Sequence, residues 1–256
     1  MMPGMPAEDP QRLSRIATMW TVVHQAHAPA DGGAATDQAQ RALMERYCPA
    51  VHRYLLGALR DEEAADDLFQ EFALRFLRGD FRRTDASRGR FRDYVRTVLV
   101  NLVNDHHRSR KQTRELPENT AAPAQATIDE SQDGRFVESW RTELMNHAWA
   151  ALEKTQPAYH AVLLHHVQNP SLESPDLAAE LSEKLGKPMT ATNVRVTLHR
   201  ARDRFAELLL NEVARSLDNP ADEDELLAEL KALNMHKVCE SAIQKRREKL
   251  EKQGLS

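Results

Sequence analysis

The stretch FRDYVRTVLVNLVNDHHRSRK (91–111) decides the fold class. In it Phe91, Tyr94, Val95, Val98, Leu99, Leu102 and Val103 recur at i, i+3, i+4, i+7 and i+8. That spacing gathers apolar side chains on one face of an α-helix and leaves the opposite face polar. The same period extends upstream, with Leu43, Tyr47, Val51, Tyr54, Leu55 and Ala58 within 40–60, then Leu68, Phe69, Phe72, Ala73, Phe76 and Leu77 ahead of Gly79. Each segment carries a single apolar stripe and needs a neighbour to cover it, so the three are expected to pack as one helical bundle. Asp61-Glu62-Glu63 and Asp66-Asp67 make the start of the second helix acidic, and a polar loop (80–88) precedes the third.

Downstream, QTRELPENTAAPAQATIDESQDG (112–134) loses the period and is rich in Pro, Ala, Thr and acids. It has too little apolar surface to order itself. A flexible linker is therefore expected over 112–135. Helical patterning resumes over 137–152 and 159–167, before a turn at Asn169-Pro170. Ser174-Pro175-Asp176 reads as a helix start with Ser174 as the cap, and Gly186 as its end. Thr190 is the expected N-cap of a long helix that buries Val194, Leu198, Ala201, Phe205 and Leu208. Residues 218–256, acidic first and basic later, read as a charged helical tail, with a solvated helix slightly preferred to a regulatory module. Residues 1–37 read as an N-terminal extension containing a short apolar helix (16–26). The expected architecture is all-α: two small helical domains (38–111 and 136–217) joined by the flexible linker, with a helical C-terminal extension.

Composition agrees. Nine Gly, 5% aromatic and 29% charged residues favour helices over a sheet-based fold. Cys48 and Cys239 lie far apart and in no CxxC or Cys/His cluster, so neither a disulfide framework nor a zinc site is signalled. No run approaches the ~18 apolar residues of a membrane span, and the N-terminus lacks a signal core. A soluble cytoplasmic protein with no cofactor and no membrane association is expected. His106-His107 and His165-His166 raise a metal-dependent hydrolase as a rival, but adjacent residues project about 100° apart on a helix and make a poor ligand pair. No glycine-rich phosphate loop or nucleophile motif supports an enzyme. The net charge of -4 disfavours a protein that coats DNA, yet the basic residues are clustered, at Arg108-Ser109-Arg110-Lys111 and at Arg200, Arg202 and Arg204.

A capped helix, a Gly-containing turn and a second helix with basic residues form a helix-turn-helix pattern. A helix starting at Thr190 directs Ala191, Thr192, Asn193 and Arg195 toward base edges, while Lys187, Arg200 and Arg204 are placed to meet phosphates. Asn193 and Arg195 are the best base readers, because Asn pairs with adenine and Arg with guanine through two bonds.

Three segments carry a family resemblance. NVRVTLHRARDRFAELL (193–209) resembles the recognition helix of the fourth conserved region of sigma-70-family proteins, especially the extracytoplasmic-function group. AADDLFQEFALRFL (64–77) and GRFRDYVRTVLVNLVNDHHRSRK (89–111) resemble two helices of the second region, in family order. A finer likeness points to the planctomycete-type group. The resemblance implies a non-enzymatic sigma factor that binds core RNA polymerase and promoter DNA, reads the minus-35 and minus-10 elements and promotes melting. By similarity Asp66, Asp67, Gln70 and Glu71 contact core polymerase. Phe81, Arg88, Asn101, Asp105, Arg108, Arg110 and Lys111 meet the downstream element, with the 80–88 loop capturing an unstacked base. Lys187, Thr190, Thr192, Asn193, Arg195, His199, Arg200 and Arg204 meet the upstream element. An anti-sigma protein or a serine/threonine kinase is the implied kind of regulator.

The sequence departs from the pattern in places. Tyr94 stands where many relatives carry Trp, and Phe69, which cannot accept phosphate, where they carry Thr. Lys187-Pro188 is an apparent insertion and Thr197 replaces a usual Arg. The closest rival reading is a stand-alone helix-turn-helix regulator that binds DNA without polymerase.

Overall fold

The computed structural model describes residues 34–77, 91–114, 130–217 and 222–254. Among the described residues it contains nine helices and no strand: α1 Ala34–Leu59, α2 Glu62–Leu77, α3 Phe91–Arg114, α4 Glu130–Thr155, α5 Pro157–Gln168, α6 Ser174–Leu185, α7 Ala191–Arg215, α8 Glu223–Ala232 and α9 His236–Gly254. The all-α expectation holds. The N-terminal helix expected over 16–26 and the 80–88 loop lie outside the described residues.

The chain divides into two compact units, with the boundary between Glu143 and Leu144, inside α4. In the first unit α1, α2 and α3 pack on one another. They bury Tyr47, Val51, Tyr54 and Leu55 against Phe69, Phe72 and Ala73 and against Val95, Leu99, Leu102 and Val103. Arg60, with a left-handed φ of 54°, reverses the chain after α1. Asp61 then caps α2 by accepting from the amide of Ala64 at 3.2 Å.

Helix α4 begins earlier than the sequence suggests, and its first half belongs to this unit. Trp140 stacks on Tyr47 with ring centroids 4.4 Å apart, and Phe136 meets Tyr54 edge-on at 5.7 Å. Arg53 donates to the carbonyl of Ser139 at 2.9 Å and to the Glu143 carboxylate at 3.1 Å. These contacts stabilise helix over residues 130–135, which carry little apolar surface of their own. The segment expected as linker is thus helical at both ends, 112–114 and 130–135.

The second unit holds the remainder of α4 and α5 to α9. Trp149 of α4 packs on Phe205 of α7 at 4.7 Å, among Leu152, Val162, Leu163, Leu177, Leu181, Val194 and Leu198. The solvated helical tail expected over 218–256 is corrected. Helices α8 and α9 both pack on α7 and bury Leu226, Leu230, Leu233, Met235, Cys239 and Ala242. The apolar residues there recur between charges, so a charged sequence still yields one buried side. No helix among the described residues is long and apolar enough to cross a membrane.

Candidate nucleic-acid interface

Helices α6 and α7 pack together through Leu177, Leu181, Val194 and Leu198. Gly186 ends α6 in the left-handed conformation, φ 62°, where a side chain would be strained. The hydroxyl of Ser182 accepts from the amide of Met189 at 2.8 Å, which ties the turn back to α6. Thr190 caps α7 as expected, its hydroxyl accepting from the amide of Asn193 at 3.2 Å. The cap expected of Ser174 is not made: Glu173 precedes the first helical residue, and Ser174 Oγ instead accepts from Nε of Arg195 at 3.2 Å.

This geometry leaves Lys187, Thr190, Thr192, Asn193, Arg195, His199 and Arg200 exposed at the turn and along the first half of α7. Arg204 is half-buried and paired with Glu207 at 3.1 Å, so of the eight residues it is the least available. Val196, 44% exposed, shares the face of Thr192 and His199. It is not among the upstream residues expected from the sequence; its place off the Val194, Leu198, Ala201 stripe is the signal that it faces outward. Arg202 donates to Nε2 of His166 at 2.7 Å. Burial, with the nearby guanidinium, holds His166 below the ordinary histidine range, so a neutral ring accepts this bond. His165 pairs with Glu180 at 2.6 Å. The two histidines thus have different partners.

In the first unit, Asn101, Asp105 and Arg108 follow one another along the exposed face of α3, with Asp105 and Arg108 3.4 Å apart. Arg110 is exposed and lies 3.7 Å from Asp61 at the start of α2. Phe81 and Arg88 lie outside the described residues, as does the side chain of Lys111. On α2, Asp67 and Gln70 are exposed and Glu71 is half-buried beside Arg75. Asp66 requires correction. It is buried, and its carboxylate lies 2.8 Å from Nε2 of His52, itself buried. Asp66 shares the inward face of Phe69 and Ala73, at i+3 and i+7, so it fixes α2 to α1 and does not stand on the outer acidic face. The exposed stripe is Glu63, Asp67 and Gln70.

Residues 43–113, from α1 through α3, match the Sigma-70 region 2 family. The chain is also 28% identical over 170 residues to RNA polymerase sigma factor CarQ of Myxococcus xanthus, covering 65% of this chain and 87% of that protein. No solved structure matches the chain. Both 64–77 and 89–111, which resemble helices of the second sigma-70 region in sequence, fall inside the matched segment.

Proposed function

We propose that this chain is a sigma factor that binds core RNA polymerase, recognises upstream and downstream promoter elements and promotes melting for transcription initiation. The observation that carries the reading is the region 2 match over 43–113, which spans the acidic α2 and the polar face of α3. The helix-turn-helix of α6 and α7, exposed at its turn and along the first half of α7, supports this reading as a duplex reader. Sigma factors are non-enzymatic, and polymerase does the chemistry.

The residues divide the work. Asp67 and Gln70, with Glu71 at the edge, dock on a basic surface of core polymerase, where opposite charge speeds and orients encounter. Asn193 and Arg195 read bases of the upstream element, with Thr192 and His199 beside them. Lys187, Thr190 and Arg200 hold the phosphates. Asn101, Asp105, Arg108 and Arg110, with Lys111, line the downstream element, and Phe81 and Arg88 belong to the loop that captures an unstacked base. Melting costs a few kcal/mol per unstacked base, which the captured base offsets by stacking and hydrogen bonding. The protein works in the cytoplasm, where its DNA and polymerase are, and an anti-sigma protein or a serine/threonine kinase is the kind of regulator that would control it.

Run-off transcription with purified bacterial core polymerase tests this on a pool of genomic promoters. Protein-dependent initiation from a shared two-element sequence, lost in Asp67→Lys with Gln70→Lys, is expected. Duplex binding with neither core binding nor initiation would instead make the chain a stand-alone regulator.

A further inference from the structure

Helix α7 carries two stripes. One is the core stripe of Val194, Leu198, Ala201 and Phe205; the other runs Thr192, Val196, His199, Asp203, Ala206, Leu210, Val213. The second changes character along its length: Thr192, Val196 and His199 are exposed, Asp203 is half-buried, and Ala206, Leu210 and Val213 are buried. What covers the later part is the α8–α9 hairpin, so the hairpin sits on the continuation of the face that α7 presents to DNA.

The contacts also set the direction of α9. Lys245, with Ser241 lying beside the Asp203 carboxylate, holds that carboxylate below the ordinary range. Lys245 donates to Asp203 at 2.8 Å and to Glu207 at 3.3 Å. Ile243 and Arg246 share a small cavity with Leu210. Rising numbers in α9 meet rising numbers in α7, so the two helices run the same way. Lys237, four residues before Ser241, then lies ~6 Å nearer the reading end of α7, at the level of His199 and Arg200. Asn234, with φ 56°, turns the chain there, and Lys231 is in the last turn of α8.

Lys231 and Lys237 are exposed and His236 is half-buried, as against one exposed carboxylate, Glu240, in the first turns of α9. The acid that α7 carries on this stripe, Asp203, is already paired with Lys245. The edge of the hairpin that borders the reading surface is therefore cationic.

We propose that the α8–α9 turn is a second phosphate-contacting element of the DNA-binding unit, with Lys231 and Lys237 meeting the duplex backbone beside the segment read by α7. This rests on the helix-turn-helix reading above. Residues 218–256 thereby extend the footprint on DNA beyond what α6 and α7 cover.

The test uses the full chain and a fluorescent random-sequence duplex of about 30 base pairs, with affinity measured across a series of salt concentrations. Each lost phosphate contact lowers the slope of log affinity against log salt by about 0.9. Lys231→Gln with Lys237→Gln is expected to lower it by about 1–2. Lys249→Gln with Lys252→Gln, at the far end of α9 and ~18 Å away, is expected to leave it unchanged. An unchanged slope in the first pair, or an equal fall in both, overturns the proposal. Arg200→Gln separates the two readings. If it weakens binding while the first pair does not, only this proposal fails; if neither it nor the wild type shows duplex binding to lose, the helix-turn-helix reading falls and takes this one with it.

Discussion

Asp66 and Asp67 are neighbours in sequence with opposite duties. A helix turns 100° per residue, so one carboxylate faces the core and the other faces water. Removing the buried one leaves His52 without its partner, and an orphaned buried polar group costs about 1–3 kcal/mol. Asp66→Ala is therefore expected to lower the thermal midpoint of the first unit, while Asp67→Ala stays within about 0.5 kcal/mol of wild type and loses affinity for core polymerase. Circular-dichroism melts beside a core-binding titration separate the two; equal stability of both variants would refute the buried role. Cys239 offers a second probe. It is fully buried, and burial pushes its thiol up to about 12 from an ordinary 9.0. The unfolded chain ionises there first, so this group's contribution to stability is complete below pH 9 and is lost as pH rises toward 12. A thiol reagent should modify Cys239 in step with unfolding of the second unit, and rapid labelling of the native protein would contradict the packing.

Among the elements, the turn between α6 and α7 is the most exacting. Gly186 has open space where a Cβ would go, so the cost of Gly186→Ala comes from its backbone conformation alone, about 1–2 kcal/mol. Thr190→Ala removes the cap and costs about 1 kcal/mol. Because the two act on opposite sides of one turn, both should weaken duplex binding more than they lower stability, as measured by anisotropy and denaturant melts. These two residues were legible in the sequence because turn and cap chemistry is local. The start of α4 was not. Residues 130–135, ESQDGR, contain Gly134 and no apolar period, and they are helical because Phe136 and Trp140 dock on Tyr54 and Tyr47. Those partners are far away in the chain, and no local pattern announces them. The inward turn of Asp66 falls between these cases: its spacing from Phe69 and Ala73 was visible, but the cluster of acids was read by charge and not by face.

At the scale of the whole molecule, the tail is where sequence and structure part most. Read by charge, 218–256 is a solvated helix; read by the spacing of Leu226, Leu230, Leu233, Cys239 and Ala242, it is half of a core. Cutting the chain after Leu217 would uncover Ala206, Leu210 and Val213 on α7 and remove four further large apolar side chains, Leu226, Leu230, Leu233 and Met235. A fully buried side chain of that size contributes about 1.5–3 kcal/mol, and a domain holds only about 5–15 kcal/mol in all. The truncated chain is therefore expected to melt on the order of 10 °C or more below the full chain and to bind a hydrophobic dye. Should it fail to fold at all, Leu230→Ala makes the same measurement with a smaller step, about 2–5 kcal/mol. Acid gives an independent reading of the same joint. Lys245 holds Asp203 below the ordinary carboxylate range, so this ion pair's contribution to the hairpin's hold on α7 is complete above pH 3.8 and is lost as pH falls through the lower native value. An idle tail predicts neither effect: its removal would leave the melting point where it was, and Lys245→Ala would not change the acid limb of the stability profile.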